Sequence, residues 1–298
     1  MMVTQDIPKE KPLTLLKKPD SRQRVLDRIK RTNKLLIFGG VITLFIFIAA
    51  IFSSAIAPKS PLEMNPSIGM SSPSREFIGG TDQFGRDMFS RTIYGSRTAI
   101  QVSMVAVSIS LFIGLPLGLF AAHAGRWVDN IISKFFDILF SFPAVLLAII
   151  ILAVLGPGKR SAIVAIGIVF IPIFGRMVRS AALVVESEQY IEAAKSVGMS
   201  DLKIIFTEVL PNVMPVTIVQ ITLAIGYAIL LEASLSYLGL GTQPPEPSWG
   251  QMLFIGKGFL YRAPWLAILP GVAIFVAVLG FNTLGDGLRD VLDPRLKT

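Results

Sequence analysis

The chain has 298 residues, of which 52% are hydrophobic and only 16% charged, with a mean hydropathy of +0.65; that balance excludes an ordinary soluble domain and points to the bilayer. Its 28 Lys and Arg against 20 Asp and Glu leave a net charge of +8, which in a membrane protein records topology before it records a nucleic-acid partner. No cysteine is present, which excludes disulfides, thiolate metal sites and cysteine nucleophiles.

Residues 1–34 hold ten Lys or Arg, among them Lys17, Lys18, Arg22, Arg28 and Arg31, and read as a basic cytoplasmic tail attracted to anionic lipid heads. Residues 35–57 follow with no charge over about 23 positions. That is longer than the apolar region of a signal peptide, so a retained first membrane helix is expected. Residues 58–97 form an extracytoplasmic loop that begins rich in Pro, Ser and Gly. It ends in Thr81 to Arg91, whose regular charges and apolar residues suggest a short interfacial helix.

Residues 98–285 form the core, with five further apolar stretches of spanning length: Thr98 to His123, Ile131 to Leu155, Ala162 to Val178, Val213 to Leu238 and Trp265 to Leu284. The second of these carries Lys134, Asp137 and Pro143 and the third carries Pro172; proline is tolerated in spans whose neighbours satisfy the freed carbonyls. The fold class is therefore an all-α integral membrane protein of about six transmembrane helices, with both termini on one side. With that side cytoplasmic, including the 286–298 tail, inner segments hold eighteen basic residues and outer segments nine, as the positive-inside rule requires.

The inner loop at 186–211 is patterned as two short helices joined by a turn. Tyr190, Ala194 and Val197 share one face of the first, and Glu192 is spaced to pair with Lys195. Gly198 ends that helix as a residue free to take a left-handed conformation, and it reads as a structural hinge rather than a contact. Ser200 and Asp201 supply an N-cap and a first-turn acid for the second helix. There Leu202, Ile205, Phe206 and Val209 form an apolar stripe, and Pro211 closes the unit. Ile204 lies off that stripe by the 100° rule, which leaves insertion into a partner and packing on another part of the loop both open.

At these residues the chain resembles a known family. Glu192-Ala193-Ala194, Gly198 and Leu210-Pro211 are similar to the EAA signature of bacterial ABC-importer permeases, although Glu208 stands where that pattern commonly has an aliphatic residue. The stretch from Gly80 to Arg91 with Gly95 and Arg97, the stretch from Ala233 to Pro245 with Trp249-Gly250, and the stretch from Phe281 to Arg295 extend the likeness over nearly the whole chain. Together they resemble the second permease subunit of dipeptide, oligopeptide and nickel importers. The resemblance implies that 186–211 is a cytoplasmic helix-turn-helix coupling loop seated in an ATPase groove, with Glu192 as its contact; a solvated charge paired with Lys195 is the plainer reading. It also implies a heterodimer with a homologous permease, two ABC ATPase subunits that bind the ATP and Mg, and an extracytoplasmic substrate-binding protein.

The chain itself has no Gly-rich phosphate loop ending in Gly-Lys-Ser/Thr, no Ser-His-Asp set and no acid pair at hydrolase spacing, so no cofactor and no catalysis are expected in it. His123 is its only histidine, which makes no metal site. Asp137 and Glu232 fall inside expected spans, where a carboxylate packs structurally, lines a pathway or relays protons; Lys134 offers Asp137 a simple ion pair. A proton-driven secondary carrier would need such groups meeting at mid-membrane, and a membrane scaffold would leave the inner loop unexplained. The basic-residue count predicts that reporters placed near Lys18 and after Thr298 both read cytoplasmic while a tag near Ser71 reads outside; protection of the Ser71 tag from external reagents in permeabilised cells overturns that arrangement.

Overall fold

A computed structural model describes residues 21–292, with side chains from residue 34 onward. Most of the expected basic tail and the terminal Arg295 and Lys297 therefore lie outside the described residues. The described chain is helical, and its one β-feature is an isolated bridge between Thr81 and Asp87. In order come α1 (Ser21–Ile51), α2 (Ser53–Ile56), α3 (Met88–His123), α4 (Arg126–Phe140), α5 (Ala144–Leu155) and α6 (Lys159–Glu186). After these follow α7 (Gln189–Ser196), α8 (Asp201–Ile204), α9 (Leu210–Tyr237), α10 (Trp249–Gly256) and α11 (Trp265–Leu292).

Five helices are long and apolar enough to cross a membrane, and a sixth crossing arises only if α4 and α5 count as one. The expected stretch from Ile131 to Leu155 is a bent pair: α4 and α5 meet at an 88° angle. The cause is Pro143, which lacks an amide hydrogen and restricts Phe142 before it to extended backbone, so the helix stops at Phe140 and restarts at Ala144. Thr81 to Arg91 forms no separate interfacial helix either. Asp87 accepts from the Ser90 amide at 2.8 Å and caps α3, whose first residue Met88 lies ten residues before the expected start of the span. At 36 residues and 1.5 Å per residue, α3 is roughly 54 Å long, far more than a hydrocarbon core requires.

The outer segment is held to this helix by buried polar bonds. Arg86 Nε donates to Asp82 Oδ2 at 2.6 Å with both side chains almost fully enclosed, and an Arg91 guanidinium nitrogen donates to the Pro61 carbonyl at 2.9 Å. Trp249, at the start of α10, lies in a notch left by the missing side chain of Gly95, and its Nε1 donates to the Thr92 carbonyl at 2.8 Å. This pairing gives a packing reason for two residues that the sequence motifs single out separately.

Between the spans, small residues let backbones approach. Gly114 and Gly118 of α3 face Gly175 of α6, and Ser110 Oγ crosses the same contact to donate to the Gly167 carbonyl at 2.8 Å. Gly39 of α1 lies on Leu284 of α11, and Gly280 and Gly287 lie on Ile42 and Leu36. Early residues of α1 thus meet late residues of α11, so the two helices run antiparallel and Ser21 and Leu292 belong to the same end of the bundle. A Cβ at Gly118 would stand 2.5 Å from the Gly175 carbonyl oxygen, whereas one at Gly40 would meet nothing within 4 Å. Gly118→Val is therefore expected to cost about 3 kcal/mol or more and to lower the melting temperature in detergent, with Gly40→Val near neutral. Equal melting temperatures for the two variants would refute the close contact.

Candidate functional site

The segment joining α6 to α9 contains the residues that the sequence marks as functional. Helix α7 ends on Gly198, whose φ of +80° is the left-handed value that the turn requires and that side chains resist. The Gly198 amide donates to the Lys195 carbonyl at 3.0 Å and the Met199 amide to the Ala194 carbonyl at 3.1 Å. This paired bonding satisfies the last carbonyls of α7 and turns the chain sharply into α8. α7 and the four-residue α8 flank this turn, and the chain after α8 does not end its helix at Pro211. Instead Ile205–Val209 forms a π-helical turn, and Leu210 donates to the Ile205 carbonyl, five residues back, before α9 continues through Pro211. Pro211 has no amide hydrogen, and its ring would crowd the carbonyl four residues earlier; the wider turn makes room for it.

That turn changes which side chains face the protein. Ile204 is fully buried, together with Ile191, Ile205, Val209 and Val213, against Leu119 of α3 and Val178 and Ala182 of α6. Leu202 and Phe206, each 64% exposed, face away, as does Val197 at 80%. The expected stripe of Leu202, Ile205, Phe206 and Val209 is therefore split between two faces. Of the two roles left open for Ile204, packing on this chain is the one observed. Within Ile205–Val209 the 100° rule fails because a π turn advances less per residue than an α-helix.

The remaining marked residues lie on or beside the outward face. Glu192, Ala193, Gly198, Asp201 and Pro211 are exposed, while Ala194 and Leu210 are half-buried. Tyr190 is exposed on the same segment and accepts from Asn212 Nδ2 at 3.3 Å; burial, followed by Glu188 and Glu208, pushes its phenol above the ordinary value. Val197, Leu202 and Phe206 thus lie on the outward surface, although the sequence pattern set Leu202 and Phe206 in one stripe with the buried Ile205 and Val209. The signal that could have found them is Pro211, because a proline at a helix-to-helix junction shifts the register before it.

The two carboxylates expected inside spans have partners. Asp137 on α4 accepts from Arg176 of α6 at 2.6 Å, which corrects the expected pairing with Lys134. Nearby, Asp129 and Arg179 form a two-armed ion pair between the same helices, and Phe136 inserts its ring against Gly175. Glu232 on α9 is 1% exposed, and its Oε1 accepts from Ser236, Thr242 and Ser248 at 2.7, 3.1 and 3.0 Å. It is thereby tied to the loop leading into α10. Among the described residues, no group of three or more His, Asp or Glu is placed to hold a metal ion.

Comparison with known proteins places this architecture. Residues 114–298 match the model of a family described as binding-protein-dependent transport system inner membrane component. A dipeptide transport system permease protein of Alkalihalophilus pseudofirmus is 48% identical over 268 residues, covering 90% of this chain and 88% of the relative. A glutathione transport system permease protein of Pectobacterium atrosepticum is 45% identical over 226 residues, covering 76% of this chain and 75% of the relative. Among solved structures, an inward-facing MetNI methionine ABC transporter aligns with a TM-score of 0.59 at 21% identity, over 69% of this chain and 97% of that one, which shows a shared fold. With a family model across more than half its length and near-half identity to a relative over nine-tenths of it, the chain belongs to the binding-protein-dependent transport system inner-membrane components.

Proposed function

We propose that this chain is the permease subunit of an ATP-driven importer of small peptides in a bacterial inner membrane, and that the outward face of α7 and α8 is its docking surface for the ATPase. The single observation that carries the docking role is the exposure of Val197, Leu202 and Phe206 beside Glu192 on a segment whose other face is fully packed. Apolar side chains held out by a rigid turn suit burial in a partner's groove, and a charge at the rim suits orientation. Peptides are the substrate class because the similar permeases are named for dipeptides and for glutathione, itself a tripeptide. A homologous permease completes the pathway in this reading, a binding protein delivers substrate from outside, and two ATPase subunits bind ATP and Mg. Closure of the ATPase pair moves the docked loop, and α6 and α9, which flank it, alternate access to the pathway.

A proton-driven carrier is less well supported. Its expected carboxylates are Asp137, which is paired with Arg176, and Glu232, which is enclosed by three hydroxyl donors. Uptake should therefore persist when the proton gradient is collapsed with ATP maintained, and should stop when the ATPase is inactivated. Uptake into ATP-free vesicles driven by an imposed pH gradient would establish the carrier instead.

Docking predicts a division among neighbouring residues. Leu202→Glu or Phe206→Glu should leave accumulation in the membrane normal and weaken ATPase binding by about 2 kcal/mol, roughly 30-fold. Ile204→Glu should instead lower folded yield, because it buries a charge in the cluster beneath. Glu192→Lys should insert normally, lose uptake and recover it with a compensating acidic change in the ATPase groove. Unchanged ATPase affinity for Leu202→Glu and Phe206→Glu, measured on purified subunits, would remove this face as the docking surface.

A further inference from the structure

His123 is the last residue of α3, Glu186 the last of α6 and Asp201 the first of α8, and all three meet at one point. His123 Nδ1 lies 2.8 Å from Glu186 Oε1 and its Nε2 lies 3.4 Å from Asp201 Oδ1. We propose that His123 is a positioning residue for energy coupling, holding the start of the docking loop to the ends of two spans so that displacement of the loop is delivered to both. This rests on the docking role assigned above to α7 and α8.

The two arms of the contact differ. The imidazole is 10% exposed and Glu186 13%, whereas Asp201 is 78% exposed. The arm to Glu186 is an enclosed bond between two helices already locked together by Gly114, Gly118 and Gly175. Its consequence is therefore orientation: it fixes which ring nitrogen faces the loop, as a carboxylate does for a histidine whose other nitrogen performs the task. The arm to Asp201 adds a directed polar contact to apolar packing. Ile191, Ile204 and Ile205 rest on Leu119, Val178 and Ala182 through apolar contact, which resists separation but has no direction. A solvated carboxylate leaves and returns at little desolvation cost, which suits a contact made and broken in each cycle.

Helix electrostatics agree with this assignment. The carbonyl ends of α3 and α6 both point their partial negative charge at this position, where a cationic side chain is favoured, and Asp201 sits at the amide end of α8, where an anion is favoured. The ring presents one nitrogen to each carboxylate, Nδ1 to Glu186 and Nε2 to Asp201. Side chains that carry several donors and a positive charge should therefore replace it, and an uncharged side chain with one acceptor and one donor end should not.

The test uses the whole importer, permease pair, ATPases and binding protein, reconstituted in liposomes, with a dipeptide and glutathione as probes in turn. In His123→Gln, assembly with the ATPase and basal ATP hydrolysis should be unchanged while substrate moved per ATP falls about tenfold, a size typical of coupling between sites. His123→Arg should restore most of that ratio. Asp201→Ala should reproduce the defect, and the double variant should be no worse than either single one, because both remove the same contact. Wild-type transport per ATP in His123→Gln overturns the proposal. So does a loss shared by His123→Gln and His123→Arg together with lowered melting temperature, since that pattern belongs to packing alone. Failure of the docking reading is separate: it appears as normal ATPase binding in Phe206→Glu, whatever the histidine variants do.

Discussion

The approach of α3 to α6 through Gly114, Gly118 and Gly175 is the constraint on which the rest of the structure depends. Inside a bilayer there is no gain from hiding apolar surface from water, so spans hold together by close packing and by hydrogen bonds between them. Without side chains at the contact, the two backbones come near enough for Ser110 to bond the Gly167 carbonyl across it. The same contact admits the ring of Phe136 from α4 against Gly175. One narrow seam therefore joins three helices, and it brings the ends of α3 and α6 together beneath the loop that joins α6 to α9.

From that seam the geometry of the loop follows. Leu119, next to Gly118, and Val178 and Ala182, about one and two turns past Gly175, form an apolar floor on which Ile191, Ile204 and Val209 rest. Because the floor takes one face of α7 and α8, the opposite face is left outward with Val197, Leu202 and Phe206 on it. The two short helices could not hold this arrangement alone; isolated helices of this length are marginal in water. Their order comes from the floor, from the turn at Gly198 and from the unbroken connection of α8 into α9.

Proline has opposite outcomes elsewhere in the chain. At Pro143 it breaks a crossing into α4 and α5, and α4 is then pinned along α6 by Asp129 with Arg179 and Asp137 with Arg176. At Pro172 the helix runs on without a break, buried among α6's neighbours. Burial alone does not decide between the two outcomes, because Pro116 is exposed in α3 and that helix also runs on unbroken.

Sequence alone determined the class of this protein, because long uncharged stretches and the placement of basic residues answer to the bilayer directly, position by position. It also located the loop at 186–211 and the turn at Gly198, since capping and left-handed turns depend on a few adjacent residues. The tertiary structure decided what depends on distant neighbours: that Ile204 turns inward and Phe206 outward, that Asp137 answers Arg176 rather than Lys134, and that Glu232 is enclosed by hydroxyls from a later loop. It likewise decided that His123, unremarkable in sequence, stands between the ends of two spans and the start of α8. Side-chain direction and partnership are set by the register of one helix against another, and a π turn or a glycine seam changes that register without changing the local pattern of polar and apolar residues.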